Sequence, residues 1–168
     1  MQPDELRQIL TSVATQRLAL IQRHEAGARV VSHYDFNNTY QYVIAREETH
    51  LEWLRAALAE VESPWPANVP TPDVPAFPKP GKAPEVTAFR LVLEDDAATL
   101  GRFVETWRER VAQLTHARHR TMLGVVIGES LEHQRLFQQA AAGLEDLLGK
   151  RSSGVARVGA VLPARWQE

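Results

Sequence analysis

The 168-residue chain has 19 Lys plus Arg against 21 Asp plus Glu, six histidines and no cysteine. This balance leaves no long basic patch for a phosphate backbone, so nucleic acid is not an expected partner. The absence of cysteine excludes disulfides, thiolate nucleophiles and sulfur-ligated metals, so His and carboxylate are the only strong ligands available. Without a spanning apolar run or a signal-like amino terminus, we expect a cytoplasmic protein with no membrane contact.

Helix 1 is predicted for about residues 4–26. Pro3 is tolerated in a first helical turn, and Gly27 has the character of a C-cap. The apolar stripe of this helix, when continued at the same spacing, places Arg17 inward. His24 lies near the predicted end of the helix, where a solvated histidine is the expected state.

Helix 2 is predicted for about residues 38–62, with Asn37 or Asn38 as its cap. Its inward stripe is apolar except for Glu47 and His50, which lie one turn apart. A buried charge must be paired, hydrogen-bonded or bound to a metal, because an isolated one is costly in a low dielectric. This helix therefore predicts a buried polar site.

A proline-rich crossover is predicted for residues 63–92. Eight of the ten prolines lie between residues 64 and 84, and proline cannot supply the N–H groups of a helix or a central strand. At about 3 Å per residue in polyproline II geometry, the segment can run the length of a helix, so helix 3 can lie parallel to helix 2. Trp65 and Phe77 favour packing against the bundle, and a linker between separate modules is the alternative.

Helix 3 is predicted for about residues 94–116, because acids at 94–96 complement the positive end of a helix dipole. Helix 4 is predicted for about residues 120–148, and its inward stripe carries Glu129 and His133. Each half of the chain thus has one Glu and one His on the buried face of its second helix. At spacings of three or four residues, both side chains of a pair can reach one ion.

These elements define an all-α fold, with one domain covering residues 1–168. The tail, residues 149–168, follows a predicted cap at Gly149 and has no sustained period. It is predicted to be irregular, with Trp166 as its one anchor.

A family resemblance covers roughly residues 4–148. Residues 46–58, REETHLEWLRAAL, resemble the second helix of a ferritin-like or bacterioferritin-like half, in which a Glu-Glu-x-His run precedes an aliphatic residue and a Trp-Leu pair. Residues 128–137, GESLEHQRLF, are similar in a looser form. The resemblance implies a ferritin-like, up-down-down-up four-helix bundle with a long crossover between helices 2 and 3.

The resemblance also implies a set of metal ligands. The metal-ligand motif of the family falls on Glu47 and His50, and its second bridging or chelating carboxylate falls on Glu129. His133 matches approximately, since it stands at i+4 rather than i+3. Iron or manganese is the implied cofactor, with zinc less favoured.

Helices 1 and 3 depart from the family pattern. A di-iron site in this family also takes one carboxylate from each of these helices. Here the inward positions are Gln16 or Arg17 on helix 1 and Phe103, Val104 or Trp107 on helix 3. The full set of four carboxylates and two histidines is therefore not expected.

Two functions remain open from the sequence. In the first, a ferritin-like oxidoreductase holds a mononuclear or depleted dinuclear metal site with Glu47, His50, Glu129 and His133. In the second, Arg17 replaces the metal by forking onto Glu47 or Glu129, and the histidines complete a buried hydrogen-bonded network. The protein is then a metal-free structural or interaction module that forms a homodimer or binds another protein. No substrate is indicated.

A third class, the DinB-like helical proteins, binds a divalent ion through three histidines. Such a site would need His50, His133 and either His116 or His119. Their levels along the bundle axis differ, so this class ranks below the other two.

Overall fold

Four α-helices form the described part of the chain, which in this computed structural model is residues 3–67, 69, 85–145 and 147–148. No strand occurs within these ranges. The prediction of an all-α fold with four helices is confirmed. The helices are α1 (Pro3–Val30), α2 (Tyr34–Glu60), α3 (Glu85–Ala112) and α4 (Ala117–Ala141). Within the same ranges, no helix is both long and apolar enough to cross a bilayer.

The helices pack as two hairpins. Residues 31–33 join α1 to α2, residues 113–116 join α3 to α4, and across the hairpins α1 packs on α3 and α2 on α4. Their interior is aliphatic and aromatic apart from one set of buried polar side chains. This set comprises Arg17, Arg23, His24, Thr39, Glu47, His50, Asp96, His119, Ser130 and His133.

Helix α1 continues to Val30 instead of ending near residue 26, so the prediction that Gly27 caps it is wrong. Gly27 lies inside the helix, where the ring of Tyr40 crosses it closely. A Cβ atom at this position would lie 2.8 Å from Cε1 of Tyr40. The glycine is thus required by the approach of a side chain rather than by a turn.

The predicted cap of α2 at Asn37 or Asn38 is also wrong, because α2 begins at Tyr34. The side-chain amide of Asn37 instead donates to the carbonyl oxygens of Ala28 at 2.7 Å and Val31 at 3.0 Å. These carbonyls lie at the carboxyl end of α1, where the helix supplies no further N–H group to donate to them. Asn37 therefore stabilises the end of α1 from within α2.

Helix α3 begins at Glu85 rather than near residue 94, so the acids at 94–96 lie in its body. Residues 85–92 of the predicted crossover are helical, whereas residues 63–67 and 69 are not. Trp65 packs against the core, and Cζ of Arg55 lies 4.8 Å from the centre of its ring. The rest of the predicted crossover, residues 68 and 70–84, lies outside the described residues.

Helix α4 ends at Ala141, earlier than the predicted residue 148. Gly143 has a φ of +83°, and the backbone N–H of Leu144 donates to the carbonyl of Gln139 at 3.0 Å. This is the hydrogen-bond pattern of a glycine-terminated helix. The predictions for Gly149, Trp166 and the irregular tail fall outside the described residues.

Candidate functional site

An ion pair between Arg17 and Glu47 lies at the centre of the bundle. Nη1 of Arg17 is 2.7 Å from Oε1 of Glu47, and both side chains are inaccessible to solvent. The prediction that Arg17 faces inward is confirmed. Its Cζ also lies 4.4 Å from the centre of the Phe103 ring. These inward positions of α1 and α3 thus hold a guanidinium and an aromatic ring that contact each other.

Ser130 completes the contacts of Arg17 from α4. Its hydroxyl accepts a hydrogen bond from Nη2 of Arg17 and donates to the carbonyl of Val126 at 2.6 Å. Ser130 was not predicted as a site residue. Val126, Ser130, His133 and Phe137 recur at spacings of four, three and four, which is the signal that could have identified it.

His24 contacts the second carboxylate oxygen of Glu47. Its Nδ1 lies 2.7 Å from Oε2 of Glu47, and its side chain is fully buried. The expectation of a solvated histidine at a helix end is therefore wrong. Because α1 extends past it to Val30, His24 lies two turns after Arg17 on the same buried face.

Glu129 lies at the edge of the site and pairs with Arg46. Nε and Nη2 of Arg46 contact Oε2 and Oε1 of Glu129 at 3.0 and 2.7 Å, which is a bidentate arrangement. Nε2 of His50 lies 2.9 Å from Oε2 of Glu129. The Glu129 side chain is 29% exposed, so the prediction that it lies on the buried face of the fourth helix is wrong. Arg46 was not predicted as a site residue.

His133 contacts the site by packing its imidazole ring against other rings rather than by a hydrogen bond. Its ring centre lies 6.3 Å from that of His50, with the two planes nearly parallel, and 6.0 Å from that of Tyr42. Both His50 and His133 are buried, as predicted. Nδ1 of each ring is buried without a hydrogen-bond partner.

The charges of the site shift several pKa values. Burial alone raises the pKa of Glu47, but the charges and hydrogen bonds of His24 and Arg17 outweigh it and lower this pKa to about 2. Burial, together with the positive charge of Arg17, lowers the pKa of His50 and of His133 to about 4. At neutral pH the site therefore holds an ionised Glu47 between Arg17 and His24, with His50 and His133 uncharged.

The arrangement does not fit a bound metal ion. Both oxygens of Glu47 and both oxygens of Glu129 are already engaged. The buried imidazole nitrogens left without a hydrogen-bond partner at this site are Nδ1 of His50, Nδ1 of His133 and Nε2 of His24, fewer than the four or more ligands that iron, manganese or zinc usually takes. In the part of the chain that the structure describes, no group of three or more His, Asp or Glu could hold a metal. Two guanidinium groups already balance the two carboxylates.

The histidines required by a DinB-like site do not come together. Nδ1 of His116 and Nδ1 of His119 lie 2.8 Å apart at the start of α4, where Nε2 of His119 is 3.4 Å from Oε2 of Glu60. His133 lies fourteen residues further along α4, roughly 20 Å at 1.5 Å per residue. The structure thus separates this pair from the central site.

A second buried ion pair joins α1 and α3, nearer to the carboxyl end of α1 than the central site. Nε of Arg23 lies 2.5 Å from Oδ1 of Asp96, and Arg23 also contacts Asp95. The Tyr40 hydroxyl donates to Oδ2 of Asp96. Burial and the charge of Asp96 raise the pKa of Tyr40 well above its usual value. This cluster was not predicted, because the acids at 94–96 were expected at the start of a helix.

The described residues define a class of protein: a four-helix bundle with a set of polar side chains in its interior, in which each of two glutamates pairs with an arginine. No protein-family model, curated protein or solved structure matches the chain.

Proposed function

We propose that the protein is a metal-free, ferritin-like helical module in which Arg17 stands where di-iron bundles hold a cation. The single observation that carries the proposal is the buried contact between Nη1 of Arg17 and Oε1 of Glu47 at 2.7 Å. A divalent ion at Glu47 would have to displace this guanidinium and also His24 from Oε2. In this proposal the buried site stabilises the fold, and the protein acts by associating with a partner.

The contacts between helices support a ferritin-like, up-down-down-up order. Gln16 contacts Trp107 and Arg23 contacts Asp96, so residue numbers rise along α1 as they fall along α3. Arg46 contacts Glu129 and Glu60 contacts Arg118, so α2 and α4 are related in the same way. With α1 antiparallel to both α2 and α3, the end of α2 and the start of α3 lie at opposite ends of the bundle.

Large apolar side chains on the outside of the bundle support association as a homodimer. Tyr34 is 78% exposed and Leu91 is 59% exposed, and burial of such side chains at an interface is favourable. Sedimentation velocity over a range of protein concentrations tests this part of the proposal. A sedimentation coefficient that rises with concentration supports a dimer, and Leu91→Arg or Tyr34→Arg should then weaken it. A monomer at every concentration contradicts it.

An iron or manganese site is the second candidate function. The observation in its favour is that His50 and His133 each carry a buried Nδ1 without a hydrogen-bond partner. For these atoms to become ligands beside Glu47, Arg17 would have to leave its carboxylate.

Elemental analysis after expression with added iron and manganese separates the two candidates. The metal-free proposal expects no stoichiometric metal in the wild-type protein. Stoichiometric metal that is lost in both Glu47→Ala and His133→Ala supports the metal site instead and overturns the proposal. Arg29→Ala, on the exposed end of α1, is the matched control for purification and loading.

A further inference from the structure

A cleft of about 690 Å³ opens between the last turns of α2 and the first turns of α4. This volume lies within the range of small-molecule sites, roughly 300–1,000 Å³. Its walls are largely apolar, and Val125 on one wall is 41% exposed. The apolar lining residues are Trp53, Ala56, Ala57, Ala117, Met122 and Val125.

The amino terminus of α4 lies at one end of this cleft, beside Glu60. Ala117, Arg118 and His119, the first residues of α4, all line it. The first N–H groups of a helix have no intrahelical partner and form the positive end of its dipole. The first turn of α4 contains no acidic residue, and the side chain of His116 at the N-cap makes no capping hydrogen bond to the backbone of that turn. In contrast, the first turns of α1 and α2 carry acids.

His119 supplies an independent sign of a ligand. It is 4% exposed, and its Nε2 is buried without a hydrogen-bond partner. The nearest acid, Glu60, has its Oε2 at 3.4 Å. With Nδ1 of His119 accepting from Nδ1 of His116, Nε2 would carry the proton and could donate to a ligand oxygen.

We propose that this cleft binds a small amphipathic monocarboxylate, with the carboxylate at the start of α4 and the aliphatic or aromatic body along Trp53, Met122 and Val125. The charge of the ligand is limited to one by Glu60, whose Oε1 contacts Nη2 of Arg118 at 2.9 Å. Arg118 is 74% exposed and Glu60 is 37% exposed, so this pair contributes little to stability. In the complex, the ligand carboxylate replaces Glu60 as the partner of Arg118 and accepts a hydrogen bond from Nε2 of His119. The Glu60 side chain then turns into solvent.

Three probes separate the parts of the proposed ligand in titrations followed by amide and indole NMR signals. Octanoate has both the anionic head and the apolar body, 1-octanol has the body alone, and acetate has the head alone. The expected result is that octanoate shifts the amide signals of Ala117, Arg118 and His119 and the indole signal of Trp53. We expect its affinity to exceed that of 1-octanol about tenfold, the size of one charge-assisted contact, and acetate to bind more weakly than both.

Substitutions at exposed positions test each contact separately. Arg118→Ala should remove the advantage of octanoate and leave the affinity for 1-octanol unchanged, whereas Glu60→Gln should raise the affinity for octanoate alone. Ala56→Phe fills the cleft and should abolish binding of both. The matched control is Ala59→Phe, which adds the same ring at an exposed position of α2 that does not line the cleft.

Equal affinities for octanoate and 1-octanol in the wild-type protein would overturn the proposal, as would the absence of any octanoate binding. Octanoate binding that survives Ala56→Phe also overturns it. Circular dichroism of each variant shows that the fold is kept. If Ala56→Phe does not fold, Arg118→Ala alone decides, because its side chain is exposed and removal of its charge leaves the core intact.

Discussion

Arg17 and Glu47 come from facing helices and bury opposite charges against each other with no exposure to solvent. Arg17 also contacts Phe103 and Ser130, so it joins all four helices at one level. Removing two charges from water is expensive, and their attraction offsets this cost only while both partners are present. The stability of the bundle therefore depends on the pair as a unit.

Replacement of Arg17 by Met should lower the free energy of unfolding by about 3–5 kcal/mol, because it removes the guanidinium of a buried ion pair and leaves the Glu47 carboxylate with His24 as its remaining partner. Urea unfolding followed by circular dichroism measures this loss. The double variant Arg17→Met, Glu47→Met removes both charges and should be much more stable than the sum of the two single losses implies. Losses that simply add would mean that the two residues do not act as a pair.

Stability should fall as the pH is lowered from about 6.5 to about 4. The pKa of His50 and of His133 is about 4 in the folded protein, below the ordinary value of 6.5, because burial disfavours the charged ring. Between these pH values the unfolded chain binds protons that the folded protein does not, so acid favours unfolding. At 1.36 kcal/mol per pKa unit, the loss is of order 3 kcal/mol for each histidine.

Calorimetric unfolding between pH 4 and pH 7 measures this dependence. The variant His50→Gln, His133→Gln should show a clearly smaller slope over this range. Below about pH 4.5, protonation of the unfolded Glu47 adds a further loss, since its pKa in the folded protein is about 2. A slope identical in the variant and the wild-type protein would assign the pH dependence to other groups.

Replacement of Tyr40 by Phe should destabilise the protein by about 1–3 kcal/mol. The change removes the hydroxyl that donates to Oδ2 of Asp96, a buried carboxylate oxygen. Thermal or urea unfolding tests the prediction. Tyr34→Phe is the matched control, because Tyr34 is 78% exposed and should lose nothing measurable. Equal stability of the two variants contradicts a role for the Tyr40 hydroxyl.

Two Gly→Ala substitutions in helices should have opposite effects. An alanine is normally favoured over a glycine inside a helix by about 1 kcal/mol. Gly124→Ala should approach this gain, because its Cβ meets nothing within 4 Å. Gly27→Ala should destabilise, because its Cβ would lie 2.8 to 2.9 Å from atoms of the buried Tyr40 ring. Melting temperatures compare the two directly, and a gain in both would mean that Tyr40 can move aside.

Helix boundaries show where sequence reasoning failed. Acids at 94–96 have the composition of a helix start, but in the structure they lie in the body of α3. Asp96 is buried there because Arg23 on α1 and the Tyr40 hydroxyl on α2 neutralise and solvate it. A local pattern cannot distinguish acids that complement a helix dipole from acids that meet a basic side chain on another helix.

Periodicity along single helices predicted four of the buried polar side chains, but it also placed Glu129, which is 29% exposed, on the inward stripe. Arg17, Glu47, His50 and His133 were predicted to face inward and are buried, because the direction of a side chain follows from 3.6 residues per turn. The tertiary structure alone decided which buried groups meet. Glu47 pairs with Arg17 and His24, whereas Glu129 lies at the edge of the site and pairs with Arg46. These choices depend on the axial offset and rotation of one helix against another, which are set by packing across the whole core.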